Sequence, residues 1–104
     1  MSEAPRKFAT FAEFYAFYLG EHSNRLCRRL HFIGTTLAAG SIALALVSAN
    51  PWWLLAGLVC GYAFAWAGHA FFEKNRPATF TYPLRSFAAD WVMWREMLGG
   101  KLSF

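Results

Sequence analysis

Three histidines, His22, His31 and His69, are the residues of this chain best suited to do chemistry. Neutral imidazole ligates iron, zinc and copper. Glu73 follows His69 by four residues, so the two project from one face of a helix. Three histidines, or two with that carboxylate, would hold a metal and leave coordination positions open. Two histidines and one carboxylate form the usual open site of non-haem Fe(II) oxygenases. The alternative is three separate imidazoles near a membrane surface, each hydrogen-bonded, with no metal. His22 and His31 are nine residues apart, about two and a half turns, which on one straight helix sets them on opposite faces. They share a site only if the chain bends between them, and Ser23-Asn24 offers that bend. Asp90 is a candidate to orient a histidine from behind, or else a solvated charge. Cys27 lies four residues before His31 on the same face. A thiolate suits zinc or copper better than an oxygen-rich site, so Cys27 is left out of the ligand set. Ser23 and Ser41 lack partners for a nucleophilic triad, and there is neither a glycine-rich phosphate loop nor zinc-finger spacing.

Bringing the histidines together is a task for the elements between them. The chain has 104 residues, which predicts one domain over residues 1–104. Hydrophobic residues make up 57% and charged residues 15%, against roughly 25% charged in soluble proteins. The deficit is local: no Asp, Glu, Lys or Arg occurs between Arg29 and Glu73. Two apolar runs, about 31–49 and 52–72, flank the turn signal Asn50-Pro51. Each approaches the roughly 20 residues that cross a bilayer. A helix that is apolar on every side must be surrounded by protein or lipid, and the remaining chain is too short to wrap two of them. The pattern predicts an all-α fold, a transmembrane helical hairpin with two flanking amphipathic interfacial helices. Small residues at Gly34, Ala38, Ser41 and Ala45, and at Gly57, Gly61, Ala65 and Gly68, mark the faces that would meet.

The flanks read as follows. Residues 1–9 form a loose tail, and Arg6 and Lys7 precede an aromatic stretch rather than an apolar signal-peptide core. Thr10 and Glu13 make a capping box, Phe11, Phe14, Tyr15 and Tyr18 line one face, and Gly20 stops the helix. Ser23 or Asn24 caps the next. Pro83 opens a last helix, about Leu84 to Leu98, with Leu84, Phe87, Trp91, Trp94 and Leu98 on one face. Its tryptophans favour the headgroup plane.

The net charge of +4 comes from basic residues beside the apolar runs. That placement fits anionic headgroups better than nucleic acid. Arg25, Arg28 and Arg29 precede the first run and Lys74, Arg76 and Arg85 follow the second, whereas Ser48-Ala49-Asn50-Pro51 has no basic residue. The positive-inside rule then puts both termini in the cytoplasm, on the inner membrane for a bacterial chain. In this topology all three histidines reach one depth on the cytoplasmic side. Lys74 and Arg76 stand beside them, Lys74 as an anchor and Arg76 as a group able to grip a carboxylate. Cys27 and Cys60 sit at different depths and are expected as free thiols. A two-span scaffold is thin, which leaves room for a homo-oligomer.

Three segments carry a resemblance. They are Tyr18-Leu19-Gly20-Glu21-His22-Ser23-Asn24, Leu30-His31-Phe32-Ile33-Gly34, and Trp66 to Ala78 with the pattern Gly-His-x-x-Phe-Glu-Lys-x-Arg-Pro-Ala. Over about Phe14 to Ala78 the chain resembles the 2-hydroxy fatty acid dioxygenase family of phytosphingosine breakdown. The resemblance implies an Fe(II)-dependent enzyme of the lipid bilayer that uses O2 to shorten a 2-hydroxy fatty acid by one carbon. It implies His22, His31 and His69 as metal ligands, Glu73 beside them in catalysis, and Arg76 and Asn24 as substrate contacts. Longer members carry more hydrophobic sequence between the two motifs, where this chain has one tight turn. The competing readings are a non-enzymatic membrane hairpin that scaffolds partners and a metal-dependent lipid hydrolase or hydroxylase.

Overall fold

The computed structural model describes residues 7–104, so most of the tail expected at residues 1–9 lies outside the described residues. Four α-helices follow one another: α1 (Phe11–Gly20), α2 (Arg25–Ser48), α3 (Trp52–Gly68) and α4 (Pro83–Leu98). A π-helical turn, His69–Glu73, continues α3, and a 3-10 turn, Ala78–Phe80, precedes α4. The described residues contain no strand.

Local chemistry explains the boundaries. Thr10 Oγ1 accepts the Glu13 amide, while the Glu13 carboxylate reaches back to the Ala9 amide at 2.9 Å, one residue beyond the usual box. Asn24 Oδ1 accepts the amides of Leu26 and Cys27, so α2 begins at Arg25, six residues before the apolar run. At its far end Ala49 takes a left-handed conformation (φ 54°), and Asn50 Oδ1 accepts the Trp52 amide at 3.1 Å to start α3. Pro83 sits in the first turn of α4, where a missing N–H is harmless.

The close approaches between α2 and α3 run in opposite order: Cys27 meets Gly68, Gly34 meets Gly61, and Ser41 meets Gly57. The two helices are therefore an antiparallel pair, seated on the small-residue faces. A Cβ at Gly57 would stand 2.7 Å from Ser41 Cβ, and one at Gly34 would stand 2.9 Å from the Gly61 carbonyl oxygen, where backbone leaves no room to give. Helix α1 packs on α4 through Phe14, Tyr18, Ala89, Met93 and Met97.

Both long helices, Arg25–Ser48 and Trp52–Glu73, are long and apolar enough to cross a membrane. Only 22% of the most apolar stretch of each is buried, unlike the core helix of a soluble domain. Leu46, Val47 and Trp52 at the turn end are largely exposed. On α4 the buried residues are Ser86, Ala89, Met93 and Met97. Of the tryptophan-bearing face, Leu84, Phe87 and Leu98 are exposed while Trp91 and Trp94 are half-buried.

Candidate metal centre

The turn between α1 and α2 carries His22, α2 carries His31 a turn and a half in, and the π-turn after α3 carries His69. All three are buried. His22 Nε2 lies 3.1 Å from His31 Nε2 and 2.9 Å from His69 Nε2. The bend at Ser23-Asn24 is what lets His22 and His31 meet.

The outer ring nitrogens explain which atoms face inward. His22 Nδ1 donates to the Tyr18 carbonyl at 2.7 Å, since a carbonyl can only accept. His69 Nδ1 donates to Asn75 Oδ1 at 2.6 Å. The Asn75 amide is held the right way round because its Nδ2 donates to the Glu21 carbonyl at 3.1 Å. Burial pushes the His22 pKa down to about 3, so the ring is neutral near pH 7. A neutral imidazole protonated at Nδ1 has a bare lone pair at Nε2. His22 thus turns the lone pair of its Nε2 toward the Nε2 atoms of His31 and His69, 3.1 and 2.9 Å away. His31 Nδ1 faces Asp90 Oδ1 at 3.6 Å, too long for a hydrogen bond.

Behind the imidazoles stands Tyr18, fully buried. Its ring stacks on His22 at 4.1 Å, and its hydroxyl donates to Asp90. Burial raises Asp90 to about 7 against the lowering effect of that hydrogen bond. Burial, with Asp90 adding to it, raises the Tyr18 phenol well above its ordinary value. Arg28 Nη1 donates to the carbonyls of His22 and Ser23, both at 3.2 Å, and pins the corner.

Glu73 does not join the imidazoles. Its carboxylate accepts the Asn24 backbone amide and, at 3.4 Å, the Ser23 hydroxyl. It therefore ties the π-turn to the start of α2. Asn24 spends its carboxamide oxygen on the α2 cap. Arg76 is exposed, with its guanidinium 5.1 Å from the centre of the Phe80 ring. Cys27, set aside on the sequence, is buried among the cluster: its Sγ and one nitrogen from each histidine all lie within 4.8 Å of one another. Asn75 and the Tyr18 carbonyl had no signal of their own. Asn75 occupies a variable position of the motif, although its place six residues after His69 put it within reach. Both cysteines are free thiols.

Three imidazoles and a thiol make a donor set that fits a transition metal. A protein-family model described as 2-hydroxy-palmitic acid dioxygenase Mpo1-like matches residues 8–102. Neither a curated protein nor a solved structure matches the chain.

Proposed function

The chain belongs to the Mpo1-like family of 2-hydroxy-palmitic acid dioxygenases, and from that premise we propose that it is a membrane-embedded Fe(II) dioxygenase of 2-hydroxy fatty acids. The observation that carries this reading is the meeting of three buried imidazoles, two of them with Nδ1 fixed from behind. With His22 Nε2 3.1 and 2.9 Å from the other two Nε2 atoms, the three imidazoles could hold one ion, which would supply the site for substrate and O2.

In this reading His22, His31 and His69 hold the metal. Fe(II) bound there would supply the electrons that let O2 react with a hydroxy acid. The balance closes with one O2 consumed, the C1–C2 bond broken, C2 raised to a carboxyl, C1 released as CO2 and one water formed. Tyr18 and Asn75 keep two rings aimed inward, Asp90 stands behind the third, and Glu73 and Arg28 hold the corner that bears His22. Arg76, at the rim, meets the substrate carboxylate as it arrives.

The membrane placement is part of the same proposal. Helices α2 and α3 cross the bilayer as a hairpin, α1 and α4 lie along its cytoplasmic surface, and both termini are cytoplasmic. The charge-free stretch from Leu30 to Phe72 supports it, as do the apolar surfaces that α2 and α3 leave uncovered.

The test is metal content and turnover together. Purified protein supplied with Fe(II) and O2 should convert 2-hydroxypalmitate to the acid one carbon shorter, and His69→Ala should lose both iron and activity while keeping its helicity. Wild-type protein that retains no iron and leaves the hydroxy acid intact would end the proposal. One observation favours a second reading: with Cys27 in the cluster, three nitrogens and a sulfur would make a closed zinc site that only braces the fold. In that case the purified protein carries zinc, and Cys27→Ala loses it.

A further inference from the structure

A narrow groove runs between α2, α3 and α4 and begins at the metal centre. His31 and Asp90 line its head; Thr35 and Ala38 on α2, and Ala65 and Gly61 on α3, line its length. Leu58 marks the end away from the histidines, and Tyr62, Phe87 and Trp91 flank the groove. The lining is polar only near the head. The groove is shallow and open along one side, where Leu58 and Phe87 are half-exposed, so an occupant lies along it with one flank free. The floor is low because α2 and α3 meet there through small residues, Gly34 on Gly61 and Ser41 on Gly57.

We propose that this groove seats the acyl tail of a long-chain 2-hydroxy acid, with Leu58 as the residue that measures chain length. The proposal rests on the dioxygenase reading for the position of the head. The occupant follows from shape and polarity. A shallow apolar groove that ends on ligating imidazoles complements a single-chain amphiphile whose polar end reaches the metal. Leu58 stands eleven residues before His69, about 16 Å along the helix axis. Carbon–carbon bonds of about 1.5 Å meeting near 111° advance about 1.25 Å each, so about 13 carbons fill that length. Acids much shorter leave the groove part empty, and the ends of longer ones emerge past Leu58 into lipid.

Photolabelling tests this directly. The full chain is placed in phospholipid nanodiscs with Fe(II) under argon. It is then given 2-hydroxy acids bearing a diazirine at roughly carbon 4 or roughly carbon 12. The near probe should label the turn around Thr35 and Ala65, the far probe should label around Leu58, and unlabelled 2-hydroxypalmitate should suppress both. Labels scattered over the lipid-facing residues of α2 and α3, or labels that excess 2-hydroxypalmitate does not displace, would overturn the proposal. Leu58→Trp should cut far-probe labelling about tenfold, whereas Leu44→Trp, at an equal 47% exposure on the other side of the pair, should not. Equal effects of the two variants count against the groove. A parallel incubation in air separates the two claims. Ordered labelling without shortened product removes the dioxygenase and leaves the groove; shortened product with scattered labelling does the reverse.

Discussion

Two imidazoles of the cluster are oriented by different kinds of acceptor, and that difference sets what a single substitution can undo. His69 depends on a side chain, Asn75. Removing such a partner typically costs a metal site 10- to 100-fold in affinity. Asn75→Ala should therefore weaken metal binding by about that factor, and Asn75→Asp, which keeps an oxygen acceptor, should recover most of it. Competition with a chelator of known affinity measures both. His22 depends on the main-chain carbonyl of Tyr18, which no side-chain change removes. Tyr18→Phe deletes only the hydroxyl on Asp90 and keeps the ring that stacks on His22. Its loss of metal affinity should be smaller than that of Asn75→Ala, and the same titration ranks the two. The histidines themselves were legible in the sequence, because residue type and distance from a turn are enough to bring them to one depth. Their supports were not. A main-chain acceptor has no sequence signature, and the pairing of Glu73 with the α2 corner depends on a five-residue turn that ordinary helical spacing does not describe. On a regular helix Glu73 shares a face with His69; in the structure it reaches the Asn24 amide instead.

At the level of elements, the antiparallel pair stands on a few glycines that do not share one role. A Cβ at Gly34 would come within 2.9 Å of both the Gly61 carbonyl oxygen and Phe64 Cβ, so backbone must move to admit it. A Cβ at Gly40 would meet nothing within 4 Å. Overpacking of this kind typically costs about 1–3 kcal/mol, whereas an open helical glycine gains roughly 0.4–1 kcal/mol on becoming alanine. Gly34→Ala should thus lower the thermal midpoint in detergent, and Gly40→Ala should leave it unchanged or raise it. If Gly34→Ala is as stable as Gly40→Ala, the close approach does not exist in solution. The helices were legible because apolar length, Pro51, Pro83 and the caps are all local signals. The small-residue faces also pointed to the contact seen. The start of α2 was legible too: Ser23 or Asn24 stood as its cap, and Asn24 is the one whose side chain accepts the first amides, so the helix begins at Arg25, ahead of the apolar run. On α4 the tryptophan face stood out by composition, yet the helix packs on α1 through the smaller Ala89 and the flexible Met93 and Met97.

At the scale of the molecule the two ends of the helix pair differ in kind. The structure is 46 Å long and 28 Å across, close to the roughly 40–45 Å of a bilayer with its headgroups. One end carries the histidines together with Arg25, Arg28, Arg29, Lys74 and Arg76; the other, Ser48 to Pro51, carries no charge. Basic residues within about 15–20 positions of a span hold their loops in the cytoplasm. The proposed topology would turn the candidate metal centre toward the compartment that keeps iron ferrous and thiols reduced, which suits a free buried cysteine beside it. A reporter fused to either terminus should accordingly be active only as a cytoplasmic fusion. With Cys27 and Cys60 replaced by alanine, a single cysteine at Asn50 should react with a membrane-impermeant maleimide added outside intact cells, while one at Arg76 should react only after permeabilisation. The opposite pattern would place the imidazoles outside the cell. A cysteine at Asn50 that reacted only after permeabilisation would mean that the pair does not cross the membrane. In that case the uncovered faces of α2 and α3 would need a protein partner in place of lipid.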